Sequence, residues 1–118
     1  MYGLSANIDV SVFIAKELTL VSFTANTINM FFEDDVSITV IGSFIYKYDT
    51  SNIVKKQSIP VSSSNLMCLI GKVVQFAERG TDGSLVLHFD NCHILTVLDD
   101  SQEYESYRIR IGDKEIFV

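Results

Sequence analysis

Strict alternation of apolar and polar residues over two stretches constrains this chain more than any other feature. A period of two is the signature of a strand with one face buried. Each stretch breaks once and then resumes, which predicts two antiparallel hairpins. The inward positions are Ile28, Met30, Phe32, Val36, Ile38 and Val40 in the first hairpin and Leu85, Leu87, Phe89, Leu95 and Val97 in the second.

The parity of the alternation determines the hairpin loops, because partners on one face must stay in register. Leu87 opposite Leu95, and Met30 opposite Ile38, each require a loop of three residues. Asn and Asp tolerate the left-handed backbone that such loops need. The predicted loops are Asp90-Asn91-Cys92 and Glu33-Asp34-Asp35.

The C-terminal segment predicts another hairpin around Gly112-Asp113, where glycine in the first central position suits a type II′ turn. This turn pairs Ile109 with Ile116 and Tyr107 with Val118 on the inner face, and it sets Arg110 opposite Glu115 as a cross-strand ion pair. Further strands are predicted at Leu20 to Phe23, Gly42 to Tyr48 and Val73 to Phe76, for a total of seven to nine.

Two similar halves are suggested by the order of these elements. Apolar segments at 12–18 and 67–73 precede the two hairpins, and Asp9 and Ser64 are candidate N-caps of short helices. A shift of 57 positions aligns the two alternating runs, which is typical of a degenerate duplication, although any two amphipathic hairpins could align in this way. We therefore expect one α+β domain over 1–118, dominated by antiparallel sheet, with repeat halves 9–48 and 64–118 joined by a connector at 49–63.

The net charge of −6 makes nucleic acid an unlikely direct ligand, because the surface repels phosphates. Such a surface attracts a basic protein, and it also maintains solubility. Cys68 and Cys92 indicate reduced core thiols in a reducing compartment. The start of the chain does not resemble a signal peptide, and no apolar run could span a bilayer. We expect a cytoplasmic protein without a membrane association.

Catalytic and metal-binding patterns are weak. With three-residue loops, His88 and His93 fall on opposite faces of the hairpin, so a shared metal is not expected. Cys92 next to His93 does not form a thiol–imidazole pair, since neighbouring side chains in extended backbone point apart. Phosphate-binding glycine loops and nucleophile elbows are missing from the sequence. We expect no enzyme activity, no cofactor and no metal.

Three acidic clusters are the remaining candidates: the 33–35 loop, residues 99–105, and Asp113 with Glu115. Solvated loop charge is one interpretation, and a docking surface for a basic partner is the other. Tyr104 among the carboxylates of 99–105 is the most interface-like residue, because tyrosine offers contact area at low entropic cost. Tyr107 alternates with Ile109 and Ile111, which favours the core.

The second half resembles a family of small bacterial proteins of unassigned function. The resemblance lies in LIGKVV at 69–74, LVLHFDNCHILTV at 85–97 and YESYRI at 104–109, and Cys92 replaces the family's usual small loop residue. Small acidic domains of this kind resemble immunity proteins of bacterial toxin systems, including contact-dependent growth inhibition. That resemblance implies binding to one cognate toxin domain, often a basic nuclease.

We therefore predict an immunity protein whose acidic loops cover the toxin's active site. An interaction module that self-associates through an edge strand is the alternative, and a small hydrolase or metal-binding enzyme is a third. The predicted partner-binding residues are Asp99, Asp100, Glu103, Tyr104 and Glu105, with Glu33, Asp34 and Asp35 as a second group.

Overall fold

A computed structural model describes residues 9–48, 55–58, 66–80, 83–90, 93–99 and 106–118 of the chain. Within these residues the fold is built from antiparallel β-strands. No helix among them is long and apolar enough to cross a membrane. The strands are β1 (Leu18–Phe23), β2 (Ile28–Phe32), β3 (Val36–Val40), β4 (Ser43–Tyr48), β5 (Lys55–Ser58), β6 (Val74–Arg79), β7 (Leu85–Phe89), β8 (His93–Val97), β9 (Tyr107–Ile111) and β10 (Lys114–Phe117).

The strands form two five-stranded sheets that exchange hairpins. Sheet A has the order β1-β2-β3-β9-β10, and sheet B has the order β5-β4-β8-β7-β6. The meander β1-β2-β3 of the first half is therefore completed by the hairpin β9-β10 of the second half. The meander β6-β7-β8 is completed in the same way by β4-β5. Only Ile41 and Gly42 lie between β3 in sheet A and β4 in sheet B, so the chain crosses directly from one sheet to the other.

The predicted registers of the alternating hairpins are confirmed. Met30 lies opposite Ile38, and Leu87 lies opposite Leu95. In the C-terminal hairpin Ile109 lies opposite Ile116. The turn there has a positive φ at Gly112 (58°) and not at Asp113, as type II′ requires.

Two details of the C-terminal hairpin bear on the sequence predictions. Tyr107 and Val118 exchange backbone hydrogen bonds, so this predicted pair is also present. Arg110 lies opposite Glu115. The predicted ion pair between them is not formed, because Arg110 Nε–H donates instead to the Gly112 carbonyl at 2.9 Å.

The α+β prediction is wrong in its helical part, and the fold is mostly β. Where two short helices were expected, the described residues contain single 3-10 turns at Val10–Phe13 and Leu66–Leu69. Asp9 does cap the first turn, accepting a hydrogen bond from the Ser11 N–H at 3.0 Å. Each apolar segment enters a strand after one turn, so its 12–18 or 67–73 pattern buries one turn and one strand start rather than a helix face. Ser64 lies outside the described residues.

The first and sixth strands meet where the two halves cross. Ala15 N–H donates to the Val74 carbonyl at 2.7 Å, and Gly71 N–H donates to the Leu18 carbonyl at 2.8 Å. These two bonds occupy equivalent positions in the halves, and Ala15 and Gly71 share a left-handed backbone, with φ of 69° and 87°. The described halves are thus related by an approximate twofold through the Glu17–Val73 bridge. Common descent of the halves stays a prediction.

Residues from both sheets contribute to one core. The rings of Phe32 in sheet A and Phe89 in sheet B stack with centroids 6.4 Å apart. Tyr107 is fully buried, and its hydroxyl donates to the Gly83 carbonyl at 2.9 Å, which ties sheet A to the start of β7. Leu87 and every other inward position predicted from the alternation are buried.

We expect Leu87→Ala to reduce the free energy of unfolding by about 2–5 kcal/mol, because it removes fully buried methyl groups and leaves a cavity. Urea unfolding measures the loss. Val86→Ala on the opposite face of β7 is the matched control, with an expected loss below about 1 kcal/mol. A loss below about 0.5 kcal/mol for Leu87→Ala would contradict the assigned face.

The equivalent left-handed positions allow a paired test. We expect Ala15→Gly to stabilise the protein by about 0.5–1 kcal/mol, since glycine adopts positive φ without steric cost. Gly71→Ala should destabilise it by about 1 kcal/mol, and backbone strain alone should cause this, because a Cβ there meets nothing within 4 Å. Denaturant midpoints that move in the same direction for both variants would contradict the left-handed assignment.

Candidate functional site

The loop between β2 and β3 is an exposed acidic turn. Asp34 and Asp35 adopt positive φ values of 60° and 61°, which aspartate tolerates better than most residues. Glu33 Oε1 accepts the Glu17 N–H at 2.8 Å, so its carboxylate also closes the turn against the start of β1. Lys16 Nζ lies 3.1 Å from Asp34 Oδ2, and the Asp34 side chain is 76% exposed. The predicted second group is therefore held in a defined geometry on the surface.

The β9–β10 turn lies against this acidic turn. Gly112 N–H donates to the Asp35 carbonyl at 2.9 Å, which brings Asp113 and the first residues of β10 alongside. The first and third acidic clusters of the sequence thus meet at one end of sheet A. We call this surface the acidic end; its carboxylates belong to Glu17, Glu33, Asp34, Asp35, Asp113 and Glu115, and its cations to Lys16, Arg110 and Lys114.

The other predicted group does not join the acidic end. Asp99 is half-buried and accepts a hydrogen bond from the Ser106 hydroxyl at 2.8 Å. Ser106 precedes β9, whereas the acidic end lies beyond the opposite ends of β3 and β9. Asp100, Glu103, Tyr104 and Glu105 lie outside the described residues. Of the group around Tyr104, the structure therefore places Asp99 alone, and it places that residue in a structural hydrogen bond.

The two histidines point to opposite faces, as the three-residue loop predicts. His88 is half-exposed on the outer face of sheet B, with Nε2 3.2 Å from Glu78 Oε1 and its ring 5.6 Å from the ring of Phe76. His93 is buried. Within the described part of the chain, no three His, Cys, Asp or Glu side chains lie close enough to share a metal. The side chains of Cys68 and Cys92 are outside that part.

A buried polar pair, which the sequence reasoning did not identify, lies at one end of sheet B. His93 Nδ1 is 2.7 Å from the Tyr46 hydroxyl, and the two rings lie nearly parallel, with centroids 5.9 Å apart. Burial lowers the pKa of His93 below its usual value, and the charge of Lys72 lowers it further, against a smaller opposing effect of Asp90. The parity of His93 with Leu95 and Val97 was the available signal for its burial.

Exposed apolar side chains flank the junction of β1 and β6. Leu20 lies opposite Phe31 on the outer face of sheet A, and they are 52% and 40% exposed. Phe76 lies opposite His88 at the equivalent place on sheet B and is 51% exposed. A β-bulge precedes Leu20 and Phe76 in each edge strand, so apolar residues that continue the run of Leu18 or Val74 turn outward. Alternation alone could not reveal this, because a bulge changes the parity.

Comparison with protein-family models, with curated proteins and with solved structures gave no match.

The His93–Tyr46 pair predicts a pH-dependent stability. Because the folded pKa is depressed, the unfolded chain binds a proton more readily below about pH 6.5. The free energy of unfolding should therefore fall as the pH decreases from 7.5 to 5.5, and this component should level off below the folded pKa. Urea unfolding across that range measures it.

His93→Gln should flatten this dependence, whereas His88→Gln, which leaves the buried imidazole in place, should retain it. An unchanged slope in a folded His93→Gln variant would contradict the assignment.

Proposed function

We propose that this chain is a non-catalytic immunity protein that binds and neutralises a cognate bacterial toxin domain of basic character. The observation that carries the proposal is the acidic end, where two turns from distant parts of the sequence present their carboxylates together. A nuclease cleft is positively charged because it binds phosphates, and a rigid array of carboxylates can take the place of those phosphates.

The geometry of the acidic turn suits rapid and specific association. Its backbone is held by the Glu17 N–H to Glu33 bond and by the Gly112 N–H to Asp35 bond, so binding requires little ordering. The Asp34 carboxylate remains largely in solvent despite its contact with Lys16. Exposed charges of one sign steer an oppositely charged partner over distances comparable to the Debye length of about 8–10 Å.

The described histidines support a role in binding rather than catalysis. His93 packs against Tyr46 inside the protein, away from substrate. His88 forms an exposed pair with Glu78, and Phe76 and Ile94 are its other neighbours across sheet B. A nucleophile within reach of either imidazole would be needed for the triad-like chemistry of a hydrolase, and neither set of contacts supplies one.

The composition of the edge strands disfavours self-association through a sheet edge. The strands β5 and β10 are the outer strands of the two sheets. The first begins with Lys55 and Lys56, and the second begins with Lys114 and Glu115. Charged residues on edge strands, lysine above all, are a common device against edge-to-edge pairing.

The test compares the two predicted acidic groups in binding to the toxin domain encoded beside this chain's gene. Asp34→Asn, Asp35→Asn and Asp113→Asn together remove three charges, and asparagine tolerates the left-handed turn. We expect the association rate to fall about tenfold with little change in the dissociation rate, and the loss to shrink at high salt. Surface-binding kinetics at two salt concentrations measure both rates.

A second triple variant, Asp99→Asn, Asp100→Asn and Glu103→Gln, tests the opposite end of the sheet. A slower association in this variant alone would move the binding surface there. If the unmodified chain neither binds the toxin domain nor protects cells that express it, the immunity function is wrong.

A further inference from the structure

The approximate twofold gives the protein two equivalent outward positions with different surroundings. Leu20 in β1 and Phe76 in β6 both follow a β-bulge, both lie on an edge of their meander, and their exposed fractions are 52% and 51%. Their cross-strand partners are Phe31 and His88. Apolar side chains this exposed gain nothing for the fold, so a role in binding is the natural explanation when they form pairs.

The surroundings differ in charge. In sheet A, Phe31 is two residues before Glu33 and on the same outward parity, so the Leu20–Phe31 pair adjoins the acidic end. From Phe31 the outer row continues across the sheet through Ser37 and Arg110 to Glu115. In sheet B the equivalent loop is Asp90-Asn91-Cys92, with one carboxylate in place of three. That carboxylate accepts the Val73 N–H at 3.4 Å.

We infer that Leu20 and Phe31 form the water-excluding centre of the interface for the basic partner, with the acidic end as its charged rim. The inference rests on the proposed function and adds the partner's second requirement. Beside its positive surface, the partner carries an apolar side chain that seats on this pair. Interfaces commonly place aromatic and aliphatic anchors at the centre and leave charges at the edge, where they act on the association rate.

A second copy of this chain is a poor occupant of the same surface. The two side chains expose on the order of 200 Å² together, against about 800 Å² per partner in a standard stable interface. An isologous dimer would also place one acidic end beside the other. Charge complementarity therefore selects a basic partner, for which the acidic end contributes the remaining contact area.

The experiment uses the equivalent positions as matched variants of the full chain. Leu20→Ser and Phe76→Ser remove side chains of similar exposure from equivalent sites, and Phe31→Ser is a second probe of the inferred centre. The probe is the toxin domain encoded beside this chain's gene. We expect Leu20→Ser and Phe31→Ser each to raise the dissociation rate tenfold or more with an association rate within about twofold, and Phe76→Ser to change neither.

Three outcomes separate the inference from the function on which it rests. Urea midpoints for Leu20→Ser and Phe76→Ser that differ little establish that folding does not cause the difference, and Leu20→Met should restore slow dissociation. If the acidic-end variant slows association but Leu20→Ser and Phe31→Ser dissociate like the unmodified chain, the function stands and this inference is wrong. Equal effects of Leu20→Ser and Phe76→Ser also overturn it. Absence of binding by the unmodified chain overturns both.

Discussion

The exchange of hairpins between the halves is the constraint on which the rest of the structure depends. Without β9, the strand β3 would present an unpaired row of N–H and C=O groups at the edge of sheet A, and β8 would do so in sheet B without β4. The buried residues of β9, including Tyr107 and Ile109, would also be exposed. Each half thus provides the strand that the other half lacks, and the core closes only when both are folded.

The same exchange builds the candidate binding surface. The acidic turn belongs to the first half, whereas the β9–β10 turn beside it belongs to the second, and the Gly112–Asp35 hydrogen bond joins them. The β-bulges at the junction of β1 and β6 have a further effect, because they turn Leu20 and Phe76 outward. Charge and apolar area are therefore placed on the surface by the features that complete the sheets.

The sequence predicts the local geometry well and the assembly poorly. Alternation and turn chemistry are local, so the registers of Met30 with Ile38 and Leu87 with Leu95, and the type II′ turn at Gly112, follow from short stretches. The exchange of β4 and β9 depends on contacts between residues far apart in the chain, which no periodicity encodes. For the same reason the meeting of Asp35 with Gly112 could not be predicted from two acidic clusters 75 or more positions apart.

The differences between equivalent positions show how one scaffold serves two purposes. Val36 begins β3 as an ordinary core residue, whereas His93 begins β8 as a buried imidazole that requires Tyr46 as its partner. Burying a polar pair in place of apolar side chains costs desolvation and is neutral at best for stability. The acidic turn carries the opposite departure, since Asp34 and Asp35 hold a left-handed backbone that glycine would adopt more easily. Retaining carboxylates there, at some cost in backbone strain, is reasonable if the charges act outside the protein, which is where the proposed partner would meet them.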